Sequence, residues 1–219
     1  MSTWRTSLAT LALACGPAPE GDGGPPTAST GSLCPGEGGE PTKWVQADAP
    51  VGGDGSAAAP FVTLQEAVDA AGIRTRIVLV GDQHVGGAII DEPASHQGLA
   101  IAGCGPVRVV GGISLRGTPG AALLDVSLKN LFLSGPLDIA YAHGVDLTDV
   151  GTAGVPGLRG LHSTVTLRGT IDVVGIEERG ALDFVGGTMI LDGTLAVTGG
   201  TGARFMDGAA LQSAADGHF

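Results

Sequence analysis

Three aspartates, Asp149, Asp172 and Asp192, recur at steps of roughly twenty residues, a spacing typical of repeating folds. Arg159 and Arg168 lie among them. Paired carboxylates about 5–10 Å apart hydrolyse glycosidic bonds, one serving as acid and the other as base or nucleophile. A basic side chain nearby could instead abstract a proton beside a carboxylate. These five residues are the candidate catalytic set. The same aspartates could equally close turns or face water, because Asp is a routine turn former. His84, His96, His143, His162 and His218 show no HxxH or HExxH spacing, so solvated or core-edge histidines are expected. No CxxC and no Cys/His cluster has zinc spacing, so no metal site is expected. The GGDG run does not recur as the nonapeptide of a calcium-binding β-roll, and GTGAR lacks the Lys-Ser/Thr of a phosphate loop.

The formal net charge is −11 and the 11 basic residues are scattered. Neutralising phosphates requires clustered Lys and Arg, so no nucleic-acid partner is expected. An acidic polysaccharide should be repelled unless a divalent cation bridges the two. The 39 glycines follow no three-residue period, which excludes collagen. Glycine mixed with β-branched residues after about residue 60 suggests many short strands and tight turns.

The chain opens MSTWRTSLATLALACG. Arg5 supplies a positive start, Leu8 to Ala14 a short apolar run, and small Ala14 precedes Cys15. This is the plan of an export signal over 1–14, and the run is far below the ~20 residues of a membrane-spanning helix. LALAC also resembles the lipobox of bacterial lipoproteins, which implies lipidation of Cys15 and a membrane held through a lipid anchor. Ala12 and Leu13 depart from that pattern. Residues 15–42 are rich in Gly, Pro, Ser, Thr and Glu and read as a disordered tether. Export would permit a disulfide between Cys34 and Cys104, against the alternative of two unpaired thiols.

From residue 43 the elements become legible. Lys43–Ala47 reads as a strand and Gly52–Ala59 as a flexible loop. Thr63 and Glu66 form a capping box for a helix over Thr63–Ala71, with Leu64, Ala67, Val68 and Ala71 on one face and Gly72 as its stop. From residue 77 onward, apolar runs of three to five residues alternate with Gly, Pro, Asp and Thr. Corresponding runs recur roughly every 18–24 residues, as in a solenoid. A β-sandwich would explain the strands but not that longer recurrence.

The stretch WVQADAPVGGDGSAAAPFVTLQEAVDAA, followed by IVLVGDQHVGG, resembles the entry module of right-handed parallel β-helix proteins of the pectate lyase-like superfamily. Gly53, Asp54, Gly55, Ser56, Pro60, Phe61, Thr63, Leu64, Gln65, Ala67 and Val68 carry the resemblance. It implies an N-terminal strand, loop and helix over 43–76 that cap the open end of the coils, and coils over 77–219. Gly81-Asp82-Gln83-His84 stands where the family usually has Pro-Gly-x-Tyr, and Asn130 is the sole asparagine, so the family's asparagine ladder is absent. The final ALQSAADGHF has no cap pattern and reads as a chain stopping inside the solenoid. The superfamily holds lyases, hydrolases, adhesins and many lipoproteins. A family lyase would bring Ca²⁺ and a basic residue. The short array, few basic residues and lack of an acid cluster instead favour a non-catalytic module. The expectation is thus an exported outer-membrane or surface lipoprotein, acting as scaffold or glycan-binding module. The alternative is a polysaccharide lyase or glycoside hydrolase.

Overall fold

The computed structural model describes residues 40–176, 180–199 and 202–214. The expected signal segment, Cys15, Cys34, His218 and all but the last residues of the expected tether lie outside the described residues. The described chain is a parallel β-solenoid of about 6 turns, mostly strand, with one short helix. The named strands pair only in parallel, which removes the hairpin-built sandwich.

Strand β1 (Thr42–Gln46) and helix α1 (Leu64–Asp69) precede the first full turn, made of β2 (Arg76–Val80), β3 (Gln83–Val85) and β4 (Ala88–Ile90). The next turns use β5 (Ala100–Val110), β6 (Ile113–Arg116), β7 (Leu123–Leu124), β8 (Ser127–Leu133), β9 (Leu137–Ala140), β10 (Ala142–His143) and β11 (Val145–Gly154). Two long, bent strands follow, β12 (Leu158–Gly175) and β13 (Leu182–Thr198), then β14 (Ala203–Met206) and β15 (Ala210–Ser213).

Three lanes of stacked strands enclose one narrow core. In the first lane Ile77, Ile101, Leu128, Leu147, Leu167 and Leu191 occupy successive rungs. In the second the rungs are His84, Val109, Leu133, Thr152, Val173 and Val197. In the third they are Ile90, Leu115, Ile139, Gly160, Phe184 and Phe205. Strands stack about 4.8 Å apart, so each side chain packs on its equivalents above and below. The step from Ile101 to Leu128 exceeds the expected recurrence. Here β5 and β8 shift register between Ala102 and Val107, the segment that holds Cys104. Cys104 is disulfide-bonded.

The opening stretch folds as an end-cap. Thr63 Oγ1 accepts from Glu66 N at 3.2 Å, and Thr63 N donates to Glu66 Oε2 at 3.0 Å, which completes the capping box. Leu64, Ala67 and Val68 are buried. The helix ends at Ala70 in right-handed conformation, not at Gly72, whose N–H donates to Thr75 Oγ1 instead. The 52–59 loop is knit by hydrogen bonds rather than left open: Asp54 Oδ1 accepts from Ser56 N, and Asp54 N and Gly55 N donate to Ala59 O. The Ser56 N–H holds the Asp54 carboxyl below its ordinary value. Gly55 has φ +79° and lies so close to the Phe61 ring that any Cβ there would overlap it. The glycine-aspartate motif is therefore spent on local structure.

Strand β4 ends its lane, with β6 as its single sheet neighbour. Gln65 of α1 plugs its open edge. Its amide oxygen accepts from Ile89 N at 2.8 Å, and its amide nitrogen donates to Ile89 O at 3.2 Å. One side chain thus stands in for the missing strand, which blocks edge-to-edge association.

His84 and His96 sit deeper than expected from the sequence, both essentially buried. His84 Nε2 donates to Val80 O at 3.0 Å, while Nδ1 has no partner among the described residues. Burial pushes the His84 pKa below its usual 6.5, opposed by the Val80 carbonyl and the Asp48 charge. The unfolded chain therefore takes up the proton first as pH falls. This contribution to stability is complete above pH 6.5 and is lost progressively below it. The urea midpoint should drop between about pH 7 and pH 5.5. His84→Leu should flatten that segment; an unchanged slope would show that another group drives it.

Candidate functional site

The five candidate catalytic residues are distributed over different lanes. Asp149 has φ +52° at a corner, and its Oδ1 accepts from Thr170 N at 3.0 Å. Its carboxylate closes a turn onto the next coil, where Gly169 leaves room for it. Asp172 has Gly151 and Ala196 as its rung neighbours. Asp192 lies opposite Arg168. The register sets no two of these aspartates opposite one another, so the one-coil pairing of acids does not form. Arg168 is held from both sides, with Nε 2.9 Å from Asp146 and Nη1 2.6 Å from Asp192. Bonding to Asp146 raises its pKa further, and its donors are committed to this ladder.

Arg159 belongs to a different surface. The outward positions of the third lane run Ile89, Ser114, Asp138, Arg159, Asp183 and Arg204 on consecutive rungs. The alternation of sign at the last four positions does not close into a continuous ladder. Arg204 grips Asp183 with two bonds, Nε to Oδ1 at 3.2 Å and Nη2 to Oδ2 at 2.9 Å. The Arg159 side chain has neither ion pair nor hydrogen bond among the described residues, although Asp138 and Asp183 flank it in register.

Two adjoining clefts lie along this lane and share Ser114 and Asp138. One, about 440 Å³, is walled by Gln65, Ile89 and Pro136. The other, about 240 Å³, is lined by Arg116, Tyr141 and Arg159. Arg116 Nε donates to Ser114 Oγ at 2.8 Å. Tyr141 stacks on His162 with ring centroids 5.4 Å apart. Both have positive φ, 49° and 46°, at the corner where the next two rungs have Gly186 and Asp207. Asp125, Asn130 and Asp149 take the same left-handed conformation, which is how this solenoid turns its corners. The cleft therefore offers planar donors, an acceptor and an aromatic wall on a rigid sheet.

Arg116, Tyr141 and Asp138 were not singled out by the sequence. They come together only when three coils are placed in register. Arg159 was selected for proton abstraction, but the structure sets it apart from Asp149, Asp172 and Asp192. Among the described residues, no group of three or more His, Cys, Asp or Glu side chains is placed to hold a metal ion. No described helix is long and apolar enough to cross a membrane.

Fold and cleft together define a class: a parallel β-solenoid with an open groove along one lane. No protein-family model matches the chain, and neither does a curated protein or a solved structure.

Proposed function

We propose that this chain is an exported, lipid-anchored β-helix protein whose solenoid serves as a non-catalytic surface scaffold or glycan-binding module. We place it, on the resemblance of its entry module, with the right-handed β-helices of the pectate lyase-like superfamily. The observation that carries the binding reading is the cleft with Arg116, Tyr141 and Arg159 on one rigid lane. A sugar needs hydrogen-bonding groups for its hydroxyls and an aromatic surface for its C–H face, and this cleft has both. Against catalysis stands the use of the candidate acids. Asp149 accepts from Thr170 N, Asp192 pairs with Arg168, and the register sets no two of the three candidate aspartates opposite one another. The lipid anchor rests on Cys15, and the domain would be held at an outer-membrane or extracellular surface by the tether.

The test is a glycan array with the full chain, with and without Ca²⁺, followed by product analysis on each glycan bound. Retention without cleavage supports the module. New unsaturated or reducing ends would make the protein a lyase or hydrolase. A folded chain that retains no glycan would leave the scaffold role alone. Cys15→Ser should release the protein from membranes, and persistent association would remove the anchor.

A further inference from the structure

We propose that the outward face of the third lane is a self-complementary docking surface for a second copy of this chain, set antiparallel across a two-fold axis. The inference goes beyond the glycan reading and does not depend on it. Over the last four rungs the face carries two rows, which flank the inward column of Ile139, Gly160, Phe184 and Phe205. One row is apolar: Ala140, Leu161, Val185 and Met206 stand on consecutive rungs, with Met206 36% exposed. A sheet face turned to solvent ordinarily has polar residues at such positions. The other row alternates in charge, as Asp138, Arg159, Asp183 and Arg204. Among the described residues only its last pair is closed, through the two bonds from Arg204 to Asp183. The Arg159 side chain is exposed and has neither ion pair nor hydrogen bond among the described residues.

A row that reads minus, plus, minus, plus becomes its own complement when reversed. A two-fold axis between the two faces, parallel to the strands and level with the gap between the Arg159 and Asp183 rungs, performs that reversal. Arg159 then meets Asp183 of the second copy, and Asp138 meets Arg204 of the second copy. The rung spacing of about 4.8 Å is common to both copies, so all four pairs come into register together. Asp183 can accept the extra guanidinium, because a carboxylate has about four lone-pair sites and Arg204 takes two. In the apolar row Leu161 meets Val185 and Ala140 meets Met206, a small residue against a long one. An axis run along the charged row would instead set each charge against its own like. Four rungs span only about 14 Å, so the interface is smaller than a standard one and the dimer is weak, with a Kd on the order of 10–100 µM. A glycan filling the cleft would compete with the second copy for Arg159.

The test is sedimentation equilibrium of the full chain at concentrations up to about 500 µM, where a monomer–dimer equilibrium is expected. Arg159→Asp and Asp183→Arg should each weaken it about tenfold or more, because the symmetry turns one substitution into two like-charge contacts. An equimolar mixture of the two variants should recover a dimer, which native mass spectrometry should identify as the heterodimer. In that mixture every facing pair is again opposite in sign. Asp138→Arg mixed with Arg204→Asp repeats the exchange at the ends of the row, should circular dichroism show that Asp183→Arg loses the fold. Arg108→Ala, on another lane, should leave the equilibrium unchanged. A chain that stays monomeric at about 500 µM, a dimer undiminished by Arg159→Asp, or folded variants that fail to associate on mixing would overturn the interface. A chain that dimerises in this way but retains no glycan would keep the interface and remove the glycan module alone.

Discussion

Phe184→Ala is expected to lower folding stability by about 3–5 kcal/mol, the largest effect of any single side chain described here. Phe184 is fully buried and is among the largest side chains in the core. It fits because its rung neighbour is Gly160, whose missing Cβ leaves the space that the ring fills. A Cβ built on Gly160 would overlap the Phe184 ring. The glycine here is a volume complement, not a turn. Gly160→Leu alone should therefore be as damaging as the truncation, through overpacking. The double variant Gly160→Leu, Phe184→Ala moves the bulk down one rung, back into line with Ile139 and Leu115. It should recover much of the loss. Strict additivity of the two single changes in urea melts would refute the coupling.

The second expected effect has the opposite sign. Thr152 stands in the apolar column between Leu133 and Val173 and is 1% exposed. Its Oγ1 has no hydrogen-bond partner among the described residues. A buried hydroxyl without a partner costs roughly 1–3 kcal/mol. Thr152→Val keeps the β-branched shape that suits a strand and replaces the hydroxyl with a methyl group. Stability should rise by about 1–2 kcal/mol. A fall in the urea midpoint would mean that a bound water satisfies the hydroxyl.

The two predictions mark where sequence reading succeeds and where it stops. The capping box at Thr63 and Glu66 was legible because a helix start is a local device, closed within four residues. The apolar runs were legible for the same reason: alternation is written along the strand. The pairing of Gly160 with Phe184 was not, because it depends on which residue of one coil meets which residue of the next. Coil length varies, as the uneven series Ile77, Ile101, Leu128, Leu147 shows, so a fixed repeat gives the wrong partners. The acids illustrate this directly. Their near-regular spacing suggested stacking, yet the coil step is 20 to 21 residues from β11 to β12 and 24 from β12 to β13, which sets Asp172 opposite Gly151 and Asp192 opposite Arg168. The short strands β3, β4, β6 and β14 have too few residues to declare a period. Their form is imposed by the coils on either side. The cleft was illegible on the same ground, being assembled from β6, β9 and β12.

At three corners a left-handed residue leans over a glycine of the following coil. Asp125 Oδ1, Asp149 Oδ1 and His162 Nδ1 occupy the space where a Cβ of Gly144, Gly169 and Gly186 would stand. The relation is not symmetric: in these pairs the side chain comes from the earlier coil and the vacancy from the later one. The array therefore has a direction, in the way a crystal face has one. At these corners a coil fits onto the one before it only where it offers bare backbone, whereas inside the core the vacancy at Gly160 is filled from the later coil by Phe184.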